Sequence, residues 1–228
     1  MKTNYPGHDG AYKKNKELGK SGWDDHKGAA QTIADIEKLY NKPMIPRSGH
    51  LLEIGCGAGE NAVWFARRGY VVSGVDIAPT AIEWANERAL NDGVSVDFQV
   101  GDVRTLQCFS DASFDIVHDG HCMHCIIGNE DRNAVLTTVR RVLKNEGIFV
   151  LSTMAGDFSY PLSFGGEFDA ESRCIINKGI ITRYIGVPQD IIDEIQRAGF
   201  DIRFSEFVID NDDPSGEFGE LWLIAQKK

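Results

Sequence analysis

Eight consecutive residues, His118-Asp119-Gly120-His121-Cys122-Met123-His124-Cys125, hold the densest set of reactive side chains in this chain. Several chemistries suit them. An imidazole titrating near neutrality serves as a base or a ligand anchor, with His121 the first candidate, His124 the second, and Asp119 placed to orient what binds. Gly120 lets a ligand approach the backbone. Cys-x-x-Cys is half of a zinc site, yet no second Cys-x-x-Cys and no His-x-x-x-His completes it, so no metal is expected. The sulfurs also suit a thiol, selenium or metalloid ligand. The plain alternative is that Cys122, Met123 and Cys125 are packing residues and one histidine is simply hydrogen-bonded.

A second chemical signal lies upstream, in His50-Leu51-Leu52-Glu53-Ile54-Gly55-Cys56-Gly57-Ala58-Gly59-Glu60. A short apolar run stops at three glycines on alternate positions, which reads as a buried strand ending in a tight turn, with a helix beginning near Asn61. Glycine there permits backbone angles closed to other residues and lets a ligand lie against the main chain. Strand, turn and helix N-terminus form the cradle of a βαβ unit. Tyr70-Val71-Val72-Ser73-Gly74-Val75-Asp76 is a second apolar strand, and its closing aspartate has the spacing from the glycines at which a carboxylate meets a ribose diol. A dinucleotide fingerprint fails, because Gly55 and Gly57 are followed by Glu60 where that pattern needs a third glycine.

Glu53-Ile54-Gly55-Cys56-Gly57-Ala58-Gly59, with Asp76, resembles the first motifs of the class I S-adenosylmethionine-dependent methyltransferases. The resemblance runs from about His50 to the C-terminus and includes Ser113-Phe114-Asp115-Ile116-Val117, similar to the family's Phe-Asp-x-Val strand. It implies an α/β fold: a Rossmann-like seven-stranded, mostly parallel sheet with helices on both faces, a C-terminal antiparallel strand, and an insertion carrying a hairpin after the fifth strand. It also implies S-adenosyl-L-methionine as cofactor, held by Glu53, Gly55, Cys56, Gly57, Gly59, Asp76 and Ile77, with Asp102 and Val103 at the adenine and His118 where the fourth strand ends. His121, Asp119 and His124 then become the candidates for handling a small-molecule methyl acceptor. A looser likeness to small-molecule enzymes of the thiopurine and tellurite-resistance type names no substrate. The rival reading is a non-catalytic S-adenosylmethionine-binding module, a sensor or a subunit of a complex.

The remaining elements must position these residues. Helical spacing covers Gly28 to Tyr40, Pro79 to Asp92, Asp131 to Lys144 and Pro188 to Ala198. Strands are expected at Val94 to Val100 (an edge strand, by its alternation), Ile148 to Thr153, Phe200 to Ile209 and Leu221 to Gln226, with a solvated loop from Asp210 to Gly219. Residues 154–186 form the insertion, and Cys174 to Thr182 reads as a hairpin around Asn177-Lys178-Gly179. It is taken as a cover on the substrate side, with a dimer-forming hairpin as the alternative, so a homodimer stays open. Residues 1–27 are read as a tail or a lid.

At 228 residues and 42% hydrophobic the chain suits one domain with one core. Its 24 Lys and Arg against 34 Asp and Glu give a net charge of −10, a field unfavourable to a phosphate backbone, so no nucleic-acid partner is expected. The polar first residues lack the apolar stretch of a secretory signal, nothing downstream is long enough to span a bilayer, and the five scattered cysteines do not form a disulfide framework. A cytoplasmic protein without membrane contact is the expectation.

Overall fold

The computed structural model describes residues 2–20, 22–23, 26–157, 166–209 and 217–228. Residues 158–165 of the expected insertion and 210–216 of the expected polar loop lie outside the described residues.

The chain runs β1 (Lys2–Thr3), α1 (Gly7–Glu17), α2 (His26–Tyr40), β2 (His50–Ile54), α3 (Glu60–Arg67), β3 (Val71–Asp76), α4 (Pro79–Asp92) and β4 (Asp97–Val100). It continues through β5 (Phe114–Gly120), a 3₁₀ turn (Met123–Cys125), α5 (Asn129–Val142), β6 (Leu143–Gly156), β7 (Glu167–Asp169), β8 (Cys174–Asn177), β9 (Ile180–Tyr184), α6 (Pro188–Arg197), β10 (Phe200–Ile209) and β11 (Phe218–Lys227). Seven strands make the main sheet in the order β10-β11-β6-β5-β2-β3-β4, and β11 is antiparallel to both its neighbours while the others run parallel.

The central strands are apolar on both faces because both are covered. Leu52, Ile54, Val117, Phe149 and Leu151 pack with Val135, Leu136 and Val139 of α5 and Ile191 and Ile195 of α6. Their neighbours Leu51, Val72, Ile116 and Val150 point the other way, onto Ile36 and Leu39 of α2 and Ala62 and Phe65 of α3. That two-residue alternation fixes which strand residues reach the site and which are walled into a core.

Several elements differ from their sequence spans, and in two strands the cause is visible. The edge strand shortens to Asp97–Val100, since Gly93 takes a left-handed φ of 67° and Val94 is still hydrogen-bonded to Ala89, so pairing with β3 begins only at Asp97. Strand β6 starts at Leu143, directly after α5, and absorbs residues 144–147 as a bulge opposite β5, with Glu146 at a φ of 58°.

A second sheet, in the order β1-β9-β8-β7, contains the hairpin. Lys178 and Gly179 have φ of 49° and 78°, the pair of positive angles that a two-residue type I′ turn requires. The N-terminal strand completes it: Lys2 and Thr3 pair in parallel with Ile180 and Ile181. Helix α1 is held on α4 by Asp9, whose carboxylate accepts the Thr80 amide at 2.9 Å, and by the Lys16 to Glu87 ion pair at 2.9 Å.

One buried cation joins these layers. Arg132 of α5, 3% exposed, donates to both carboxylate oxygens of Glu194 on α6 at 2.9 and 2.6 Å and to the Met123 carbonyl at 2.8 Å, and its guanidinium lies 4.5 Å from the Tyr184 ring of β9. Removing one partner of such a pair strands the other without solvent. We expect Arg132→Met to lower the unfolding free energy by about 3 kcal/mol; a urea transition superimposable on the parent's would refute this role.

Candidate active site

Strands β2, β3 and β5 end side by side, and the turns that follow them surround a cavity of about 380 Å³. From the expected set it is lined by Glu53, Gly55, Cys56, Gly57, Asp76, Ile77, Asp102, Val103, His121 and His124. Gly59, His118 and Asp119 do not line it.

The glycine turn is shaped by what touches it. Gly55 and Gly57 have φ of 65° and 53°; an added Cβ would lie 2.6 Å from Cys122 Cβ at the first and 2.6 Å from the Tyr12 hydroxyl at the second. Gly59, with φ of 78°, opens α3, and there a Cβ would meet Phe98 and Ala85 at 2.8 and 2.9 Å. The third glycine thus serves helix packing. Asp76 holds the turn from the next strand, its Oδ2 accepting the Gly57 amide at 3.0 Å and its Oδ1 the Ala78 amide at 2.8 Å.

Glu53 is 2% exposed, and burial raises its carboxyl to about 8 although Asn61 and the Ala62 amide donate to it. Its Oε2 is buried with no hydrogen-bond partner. Asp102 is braced: Arg104 donates to both its oxygens, at 3.1 and 2.7 Å, and also to Asp131 at 3.1 Å, while the Tyr5 ring lies 4.9 Å from the guanidinium. The Arg104 hydrogen bonds hold the Asp102 carboxyl below its ordinary value.

His121 and His124 sit beyond the end of β5, their ring centroids 5.4 Å apart and nearly perpendicular. His121 has a φ of 78°, a left-handed backbone uncommon outside glycine. Its amide bonds Ser152 at 3.0 Å, and the next two amides, Cys122 and Met123, bond Asp119 Oδ1 at 2.7 and 3.3 Å. The expected role of Asp119 in orienting a ligand is therefore corrected. It is fully buried on the α5 side of the sheet and caps the turn that presents His121, and burial raises its carboxyl to about 7. His118 is corrected too. Its place on the strand turns it away from the cavity into an aromatic box, 5.7 Å from the Tyr40 ring and 5.1 Å from Phe65, where burial lowers its pKa to about 3.

The partner of His121 escaped sequence reasoning. Glu220 Oε1 lies 2.9 Å from His121 Nε2, and Glu220 Oε2 accepts from Ser152 and Trp222 at 3.1 and 3.0 Å. Burial alone would raise this carboxyl; the charge and hydrogen bond of His121, with the donors Trp222 and Ser152, bring it to about 2. No local pattern marks it, since it reaches the site only through the pairing of β11 with β6 that sets Glu220 opposite Met154. The N-terminal segment adds Tyr5, His8, Tyr12 and Trp23 to the wall, β9 adds Arg183, and Met154 lies between. Among the described residues no group of three or more His, Cys, Asp or Glu is arranged to hold a metal ion.

The raised Glu53 carboxyl links stability to pH. Unfolding lets it ionise near its ordinary 4.5, whereas the folded site keeps its proton up to about 8, so this group favours the folded state below pH 4.5 and that contribution fades as pH rises through 8. We expect the fall in the urea midpoint between about pH 7 and 8.5 to be smaller in Glu53→Gln than in the parent; equal slopes would mean that the carboxyl is ionised throughout.

Residues 52–151 match the family model described as a methyltransferase domain. The chain is 33% identical over 165 residues to the 27-O-demethylrifamycin SV methyltransferase of Amycolatopsis mediterranei, a match covering 70% of this chain and 58% of that protein. It is 29% identical over 138 residues to the ubiquinone biosynthesis O-methyltransferase of Xylella fastidiosa, covering 59% of this chain and 55% of the relative. The chain thus spans little more than half the length of these curated relatives. Among solved structures, a Pyrococcus horikoshii protein aligns over 90% of this chain and 92% of its own with a TM-score of 0.69 at 24% identity. An S-adenosylmethionine-dependent methyltransferase of Methanosarcina mazei aligns over 84% and 96% with a TM-score of 0.64 at 21% identity. Residues 52–151 thus match a methyltransferase-domain model, and the chain has the fold seen in the Methanosarcina mazei S-adenosylmethionine-dependent methyltransferase.

Proposed function

We propose that the protein transfers a methyl group from S-adenosyl-L-methionine to a small-molecule acceptor whose nucleophilic atom arrives carrying a proton. The observation that carries this reading is a single cavity whose wall includes both the glycine turn with Asp76 and the imidazole braced by Glu220.

The residues present suit the cofactor. Glu53 Oε2, buried and without a partner, offers an acceptor for an ammonium group. Each Asp76 oxygen already accepts one amide and keeps a lone pair for a ribose hydroxyl. Gly57, which bears no side chain at a positive φ, leaves the backbone approachable. Asp102 and Val103, on the same wall, are the residues we assign to the adenine. When bound, the cofactor supplies an electrophilic methyl on a sulfonium.

The chain's own contribution is alignment and proton removal. In the tautomer that donates Nε2–H to Glu220, His121 offers the lone pair of Nδ1, the atom we assign to take the acceptor's proton. Glu220, ionised at neutral pH, then stabilises the imidazolium. The positive φ of His121 and the Asp119 cap fix the ring's direction. His124, buried and held neutral by its surroundings, supports it edge-on. Tyr12 and Trp23, in ring contact at 5.2 Å, close the cavity as part of an N-terminal lid that excludes water. All five cysteines are free thiols, which suits a reducing cytoplasm, and among the described residues no helix is long and apolar enough to cross a membrane.

Formation of S-adenosylhomocysteine with a small hydroxyl or thiol acceptor tests the reading; cofactor binding without turnover across a broad acceptor set would favour a sensor. We expect His121→Ala to lower kcat/KM by about 100-fold with cofactor affinity unchanged, and an unaltered rate would leave alignment alone to drive transfer. Asp76→Asn is expected to weaken cofactor binding by about 2 kcal/mol. Calorimetry giving the parent's affinity in a folded variant would remove Asp76 from the ribose site.

A further inference from the structure

A second cavity, of about 340 Å³, adjoins the first, and Tyr5, His8 and Cys125 line both. It opens between the N-terminal segment and the tip of the β8–β9 hairpin, with Lys178 and Thr182 on its wall. Arg183 follows Thr182 on β9 and lines the inner cavity. It shares that inner wall with His8 and Cys125, residues common to both cavities, while its neighbour Thr182 faces the outer one, so β9 carries Arg183 to the junction.

Among the described residues, the groups shared by the two cavities are uncharged: Tyr5, His8 and Cys125. His8 and His124 are lowered from their ordinary value, first by burial and then by neighbouring positive charges that include Arg183, so the imidazoles beside the guanidinium are neutral. Among the described residues, the carboxylates on the inner wall belong to β2, α3 and the ends of β3 and β4: Glu53, Glu60, Asp76 and Asp102. Glu220, behind His121, is answered by that imidazole. Arg104, the other guanidinium on the wall, is spent on Asp102 and Asp131. Arg183 has contacts of its own within the protein, and a planar fork of five N–H donors serves those and a ligand oxyanion together.

We propose that the methyl acceptor is an anion, its carboxylate or phosphate gripped by Arg183 at the junction while the rest of the molecule extends into the outer cavity. This rests on the transfer reading given above. Arg183 would then select the acceptor and set its depth, leaving proton removal to His121. A positively charged acceptor is disfavoured by the same guanidinium.

The test offers the full chain, with S-adenosylmethionine, matched sets of aromatic hydroxy compounds bearing a carboxylate, a phosphate monoester or a neutral primary amide at the same position, and measures S-adenosylhomocysteine formed. The expected result is kcat/KM at least about tenfold higher for one anionic series than for the amides, the better series telling carboxylate from phosphate. In Arg183→Gln that preference should vanish through KM, with cofactor affinity by calorimetry within about twofold of the parent. Amides turned over as well as the anions, anions unaffected by Arg183→Gln, or no anion turned over by protein that binds cofactor and methylates a neutral acceptor would each overturn the proposal. Failure to bind cofactor at all, or cofactor binding without turnover of any member of the three series, would sink the transfer reading instead. Arg183→Lys adds a check on folding: it keeps the charge but not the fork, and recovery of part of the anion preference with an unchanged urea transition is expected. No recovery by a folded Arg183→Lys, together with a collapsed transition for Arg183→Gln, would mean that Arg183 is structural, and would overturn the proposal.

Discussion

The site depends on the absence of three side chains. Positions 55, 57 and 59 each carry a left-handed backbone and each face a different neighbour at under 3 Å from where a Cβ would stand: the Cys122 turn, the Tyr12 hydroxyl, and the α4 and β4 residues Ala85 and Phe98. The same short loop is therefore the contact surface for the turn bearing the imidazoles, for the N-terminal helix and for the next βα unit. A substitution at any of the three would act on a different part of the molecule, although the three look equivalent in sequence.

Around that loop the polar groups divide into those that hold backbone and those that face the cavity. Asp76 and Asp119 both accept amides of neighbouring turns, yet Asp76 lies on the cavity wall and Asp119 beneath it. Arg132 secures the outer side by binding the Met123 carbonyl and Glu194 together. The strained φ of His121 persists because these contacts, with the Ser152 carbonyl, leave the turn no easier arrangement.

Much of this was legible in the chain. The glycine turn, the aspartate ending β3 and the hairpin around Asn177-Lys178-Gly179 are local signals, in which residue type follows from the backbone angle required. His118 and Asp119 were misplaced by a rule that was also available. Ile116 faces the α2 and α3 core and Val117 the α5 core, so alternation sends His118 into the aromatic box and Asp119 beneath the turn. Glu220 was not legible, because its contact with Ser152 spans 68 positions and depends on the register of an antiparallel pair that no short pattern encodes. The shortened β4 reflects a helix end that carries on its hydrogen bonding past Gly93.

The pairing of Lys2 and Thr3 with Ile180 and Ile181 has a bearing on how such a protein diversifies. The wall of the outer cavity, Cys125 apart, is assembled from two remote stretches: a few residues near the start and a hairpin far downstream. The floor of the inner cavity is written in one compact block between β2 and β4. Drift in the outer wall can therefore alter the shape of the outer cavity while the floor's sequence stays under its own constraint. Such drift carries a condition, since a change in either strand of the β1–β9 seam alters the surface its partner must fit. New shapes of the outer cavity on this scaffold should then arise by paired changes at remote positions, with the block that shapes the glycine turn left intact.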